Sequence, residues 1–253
     1  MKTPFITLLL LCMQLLAVAQ LKTVVIDAGH GGKDPGTSGR YTKEKDIALK
    51  IALKTGELIK KNFPEVNVVY TREDDIFVEL EERSAIANRV NADLFISIHC
   101  NASDNHSAYG TETYIMGMHK NDDNLDVAMR ENAAILKEEN YQERYDAFNP
   151  RSVISYIRLA NYQSAFQTYS ADFARKVEEQ FKHRVKRVSR GVKQSGFLVL
   201  WQTSMPSVLI EAGFLSNPNE ERYLRSDLGQ TYIASGIYRA FKAYKKELEA
   251  NAE

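Results

Sequence analysis

Residues 24–36, VVIDAGHGGKDPG, carry an apolar, β-branched run into a turn built from glycine, and they put His30 in that turn. An unbroken apolar run leaves no face for water, so Val24, Val25 and Ile26 read as a strand covered on both sides, as in a parallel sheet. The segment LFISIHCNA, 94–102, repeats the device and delivers His99 at the end of a second apolar run. Two imidazoles carried at the ends of two buried strands are held in place before any ion arrives, which is what a metal site requires. In open α/β sheets ligands sit beyond the carboxyl ends of the strands, and Glu211, in the apolar run SVLIEAG at 207–213, would emerge on that same edge.

Working outward, the spacing predicts a strand over 23–27, a helix over 44–62 with Ile47, Ile51, Leu58 and Ile59 on one side, and a stop at Pro64. A strand over 66–72, a helix over 77–91 through Leu80, Ala87 and Val90, and a strand over 94–99 follow. Residues 110–116 read as an edge or antiparallel addition, 207–213 as the last strand, and 227–248 as a closing amphipathic helix. Such alternation implies one α/β domain, a mostly parallel central sheet with helices on both faces and right-handed crossovers. Between 117 and 170 polar and charged residues dominate, which predicts a helical insertion and not a second domain. Within it 126–141 has helical spacing, and 155–186 could run as one long helix.

With 253 residues, 44% of them apolar, the chain can bury a sizeable core. Lys2, the run FITLLLLCMQLLAVA and the small residues Ala17, Val18 and Ala19 have the pattern of a secretory signal peptide over 1–19, with 20–253 as the exported domain. Losing Lys2 takes the formal charge from +0 to −1, so nothing points to nucleic acid. The apolar run is short for a membrane anchor, which needs about 20 residues. Cys100 would then be the sole cysteine, and no intrachain disulfide could form.

Zinc accepts imidazole nitrogen and carboxylate oxygen, and a catalytic site uses three protein ligands. His30 and His99 supply two. Glu44 opens the first helix on the right edge of the sheet, although taken singly it serves equally well as a first-turn acid facing the helix dipole. Asp46 competes with it, and Asp27 is placed to orient an imidazole. Strand alternation turns Cys100 away from the face His99 uses, and His106, His119 and His183 read as surface residues.

DAGHGGKDPG, EKD at 44–46, TREDD at 71–75, LEERSAIAN at 80–88, SIHCNA at 97–102 and PSVLIEAGFLSNPNE at 206–220 together resemble the zinc-dependent N-acetylmuramoyl-L-alanine amidases of the amidase type 3 family, over about 22–245. The resemblance implies one Zn²⁺ held by His30, Glu44 and His99, with Glu211 as catalytic acid and base. It implies hydrolysis of the amide between the lactyl group of N-acetylmuramic acid and L-alanine, in peptidoglycan. In division-linked members an inserted helix can cover the zinc until an activator protein displaces it. By that likeness 117–170 is expected to be a lid with Glu131, Glu138 or Glu139 as its metal cap, a solvated helix whose acids face water being the alternative, and the role to be wall remodelling at daughter-cell separation. A monomer exported to the periplasm is expected, with secretion beyond the envelope as the alternative. A zinc peptidase or a noncatalytic wall-binding module are the other readings. The cations Lys182, Arg184, Lys186, Arg187, Arg190 and Lys193 end a long helix most simply; attraction to stem-peptide carboxylates is the alternative.

Overall fold

The computed structural model describes residues 20–160 and 165–250; the signal-peptide reading of 1–19 lies outside them. In chain order the strands are β1 (Thr23–Ala28), β2 (Asn67–Tyr70), β3 (Leu94–Asn101), β4 (Thr111–Met116), β5 (Ser189–Ser195) and β6 (Ser207–Phe214). The helices are α1 (Glu44–Asn62), α2 (Leu80–Arg89), α3 (Asp122–Asn132), α4 (Tyr141–Arg144), α5 (Val153–Ala160), α6 (Gln167–Gln180), α7 (Leu198–Trp201), α8 (Pro218–Arg225) and α9 (Asp227–Ala250). No described helix is long and apolar enough to cross a membrane.

Among the described residues the six strands form one sheet in the order β2-β1-β3-β6-β4-β5. β2, β1, β3 and β6 run parallel, and β4 joins β6 antiparallel. Helices cover both faces, as the β-α alternation requires. Strand alternation divides the core: Ile26, Ile96, Ile98, Cys100 and Ile210 pack under α1, α6 and α9, whereas Val25, Phe95 and Leu209 face α2, α3, α5 and α7. Cys100 is therefore a small buried side chain on the face opposite His99. α1 buries Ile47, Ile51 and Ile59 from its i, i+4 rows, each contributing roughly 1.5–3 kcal/mol by its burial, and ends beside Pro64.

Three expectations change. The cationic stretch does not end one helix: α6 stops at Gln180, a π-helical turn spans Phe181–Val185, and Arg190 and Lys193 belong to β5. β5 lacks apolar alternation because it is an edge strand, where charged side chains discourage pairing with another chain. β4, consequently, is an inner strand, so of the two alternatives for 110–116 it is the antiparallel addition and not the edge. Nor is 155–186 one helix, since the chain turns at 165–166 between α5 and α6. α6 packs on α9 and β4 as part of the covering layer.

The segment after β4 is tied to the rest of the chain by polar contacts, those of Asn132 buried. Asn132 donates from Nδ2 to the Gly196 carbonyl at 2.7 Å and accepts from the Leu198 N–H at 2.9 Å. Lys137 Nζ reaches Asp34 at 2.7 Å.

Candidate metal centre

His30 stands one turn beyond β1 with φ +58°, a left-handed backbone that side chains other than glycine adopt at a cost. Two buried arginines hold that turn by its carbonyls. Arg83 donates to the Ala28 and His30 oxygens, at 2.7 and 2.8 Å, and Arg72 donates to those of Ala28 and Gly29, at 2.9 and 2.8 Å. Two glycines make room: a Cβ on Gly29 would lie 2.4 Å from the His99 ring, and one on Gly36 2.6 Å from Glu44 Oε2.

The imidazoles meet edge to face with centroids 4.8 Å apart. His30 turns Nδ1 to Asp34 Oδ2 at 2.7 Å, leaving Nε2 to face Glu44 Oε2 at 3.1 Å and Glu131 Oε2 at 3.0 Å. His99 Nδ1 lies 3.0 Å from Glu44 Oε1 and 2.9 Å from Glu131 Oε2. Glu44 is locked by the N–H groups of Thr37 and Cys100, each at 2.8 Å. One donor atom from each of His30, Glu44, His99 and Glu131 falls within 4.8 Å of every other.

These residues fit a zinc ion. His30 Nε2 and Glu131 Oε2 are buried and only 3.0 Å apart, yet neither makes a hydrogen bond. Atoms that close without hydrogen-bond geometry behave as ligands aimed at a shared point. A tetrahedron with arms of roughly 2.0–2.1 Å has edges of about 3.3 Å, near the spacings found.

The electrostatics without an ion show what the ion would replace. Burial opposes charge on His30, but Glu44, Asp34 and Glu131 outweigh it and lift its pKa well above the usual range. Against the same burial penalty, Glu131 and Glu44 raise His99 to about 9. Burial would raise Glu44 too, yet His30 and His99 draw it down to about 2.

Glu211 lies beside this cluster without joining it. It is fully buried, it is the register partner of His99 across β3 and β6, and neither of its oxygens has a hydrogen-bond partner. Arg130 Nη2 approaches to 4.0 Å. Burial, then the negative charges of Glu131 and Glu44, push its pKa well above the carboxylate range.

The sequence reading and the structure part at several residues. Glu131, on α3, is the insertion carboxylate at the cluster. Glu138 instead accepts from the Leu80 N–H at 2.8 Å and from Tyr145 at 2.7 Å, capping α2, and Glu139 is exposed. Asp27 orients no imidazole; it accepts from Thr71, Ser97 and Arg83, and Asp34 takes the orienting place. Asp46 is half-buried and outside the cluster. His106 and His183 are exposed, whereas His119 is half-buried. Asp34, Arg72 and Arg83 are not among the expected site residues, although they lie in DAGHGGKDPG, TREDD and LEERSAIAN.

A family model for N-acetylmuramoyl-L-alanine amidase, Amidase_3, matches residues 24–243. The amidase AmiC of Escherichia coli O6:H1 is 32% identical over 226 residues, 87% of this chain and 52% of that protein, so the chain spans about half of that relative. Among solved structures, the catalytic domain of the amidase CwlV from Paenibacillus polymyxa is 33% identical with a TM-score of 0.65, covering 88% of this chain and 97% of that one. The CwlD amidase of Clostridioides difficile, solved in complex with the GerS lipoprotein, is 29% identical with a TM-score of 0.66, covering 89% and 99%. The chain belongs to the Amidase_3 family of N-acetylmuramoyl-L-alanine amidases.

Proposed function

We propose that this chain is a zinc-dependent N-acetylmuramoyl-L-alanine amidase acting on peptidoglycan, kept at rest by its own insertion. The observation that carries the reading is the pairing of a four-donor cluster, His30, Glu44, His99 and Glu131, with a buried and unpartnered Glu211 alongside. In the working state His30, Glu44 and His99 hold one zinc ion, and Glu131 leaves. Zinc, when bound, polarises the scissile carbonyl and makes water nucleophilic near neutral pH.

The chain's own part is proton handling and positioning. A Glu211 Oε atom takes the proton from the attacking water and delivers it to the L-alanine nitrogen, which cannot depart as an anion. Its burial keeps the proton affinity high enough for delivery. Asp34 fixes the His30 ring through Nδ1, and the backbone amides of Thr37 and Cys100 fix Glu44. Arg130 and Glu131 are neighbours on α3, so displacing the helix removes the metal cap and the cation nearest Glu211 together.

Lid release falls to an activator protein. α5 exposes Val153, Ile154 and Ile157, an apolar face on the insertion that such a protein could cover, and the related CwlD has been solved with a lipoprotein bound. Export to the periplasm, with a role in daughter-cell separation, completes the proposal.

Wall digestion tests it. The Glu131→Ala form, which lacks the proposed cap, releases from purified sacculi intact stem peptides that begin with L-alanine and leaves free lactyl ends; a zinc peptidase releases shortened peptides, and a binding module releases none. Adding Glu211→Ala to that form abolishes release while zinc content stays near one ion per chain. Equal release by both forms removes the enzymatic reading.

A further inference from the structure

His99, Glu211 and Glu112 are register partners in one row across β3, β6 and β4. Glu112 therefore lies one strand spacing, about 4.8 Å, beyond Glu211, and β5 follows at roughly twice that. Glu112 is 2% exposed and fully engaged. Its Oε1 accepts from Arg190 Nε and from Lys193 Nζ at 2.7 Å, and its Oε2 from Tyr114 at 2.7 Å and Asn101 at 3.1 Å. One carboxylate set against two cations leaves a positive charge over.

Arg190 spends only Nε on Glu112, and among the described residues its two Nη atoms bond no acceptor. Its guanidinium lies 5.2 Å from the Phe214 ring centroid. A planar fork held from behind and backed by a ring, with two donors left over, suits a carboxylate. Arg190 and Lys193 line a cleft of about 900 Å³ that reaches Asn101 and Arg130 beside the metal centre. α3 brings Asp123 and Asp126 into the same cleft, acids that would go with the helix when it lifts.

We propose that Arg190 and Lys193, braced by Glu112, form a subsite that binds a carboxylate carried by the second stem-peptide residue of the substrate. The subsite rests on the amidase reading, because Glu211 sets the scissile bond from which the distance is counted. Two residues of extended peptide span about 7 Å, enough for a carboxylate there to come within reach of a long arginine side chain two strands away. Specificity follows from desolvation: a carboxamide in that place cannot neutralise the surplus cation.

The test uses the full chain and its Glu131→Ala form with two muramoyl peptides, one with a free carboxylate on the second residue and one with that group as carboxamide. The acid is expected to be preferred roughly 10- to 100-fold in kcat/KM, mainly through KM. In Arg190→Gln and in Lys193→Met the preference should fall to within about 3-fold, with thermal midpoints showing that both variants fold. Binding to Glu211→Gln, measured by calorimetry, should show the same preference without turnover. Equal use of both peptides by the Glu131→Ala form, or a preference that survives Arg190→Gln in that form, overturns the subsite and leaves the amidase reading standing. If neither peptide is cleaved by either form, the amidase reading falls and the subsite with it.

Discussion

Asp34 Oδ2 sits 2.7 Å from His30 Nδ1, four residues away across the glycine turn, and that contact decides which imidazole nitrogen faces the cluster. The carboxylate is held in turn: Lys137 of the insertion reaches its other oxygen at 2.7 Å, and the Gly36 N–H donates to that oxygen at 3.2 Å. Removing its charge would free the ring to rotate and lower its basicity. Asp34→Asn should weaken zinc binding roughly 10- to 100-fold, read by competition with a chromogenic chelator, with the thermal midpoint little changed. Undiminished affinity would remove the orienting role.

Glu131 and Glu138 are seven residues apart, so on one continuous helix both would face the same way. They do not. A 3-10 turn over Ala133–Lys137 breaks the helical phase and sends Glu138 to the α2 N-terminus. Glu131→Ala should therefore raise basal wall-digesting activity, whereas Glu138→Ala should leave it low and cost about 1 kcal/mol of stability as a lost cap. Dye-release from labelled sacculi and thermal denaturation separate the two. A Glu131→Ala variant that digests wall no faster than the unsubstituted chain would remove the capping role of Glu131.

That same phase break shows why the sequence disclosed some parts of the site and not others. His30, His99 and Glu211 were readable because a buried strand has one period and one exit, so an apolar run ending in a polar residue names both element and edge. Glu44 was readable because the helix after β1 must begin on that edge. β5 was not, since an edge strand has no apolar face to alternate and its Arg190 and Lys193 mimic a helix end. Arg72 and Arg83 were missed for another reason: their partners are backbone carbonyls of the 28–30 turn, and backbone acceptors leave no trace in side-chain pattern.

Glu211 has no hydrogen-bond partner for either oxygen, and leaving a buried polar group unpaired costs on the order of 1–3 kcal/mol. Nothing in the fold benefits from it. Glu211→Gln should keep zinc, retain or gain thermal stability, and lose about 100- to 10,000-fold in turnover. A marked loss of stability would show that the carboxyl serves the fold.

Chelation should separate activity from folding. In the ion-free protein His30 and His99 take up protons to balance Glu44 and Glu131, so removing the ion leaves a cluster that is still paired. Zinc must expel those protons, which ties its affinity to pH. Since His99 is raised to about 9, affinity should climb with pH from acid toward that value. Calorimetric titrations in buffers of different ionisation enthalpy should show protons released on binding at pH 7. A chelated protein that unfolds at once, or zinc binding without proton release, would contradict this account.

Glu112 offers the pH test that does not involve the metal ligands. Burial would raise its pKa, but Lys193, Tyr114 and Arg190 hold it below its ordinary 4.5. A depressed carboxylate stabilises the fold above its unfolded value and ceases to as pH falls through the folded one, because the folded state then resists a proton the unfolded chain accepts. The contribution should be whole above about pH 4.5 and fade below it. Thermal midpoints between pH 3 and 6 should drop more steeply for the unsubstituted chain than for Glu112→Gln, which has no charge to lose. Parallel curves for the two would mean that Arg190 and Lys193 do not hold the charge of Glu112 in solution.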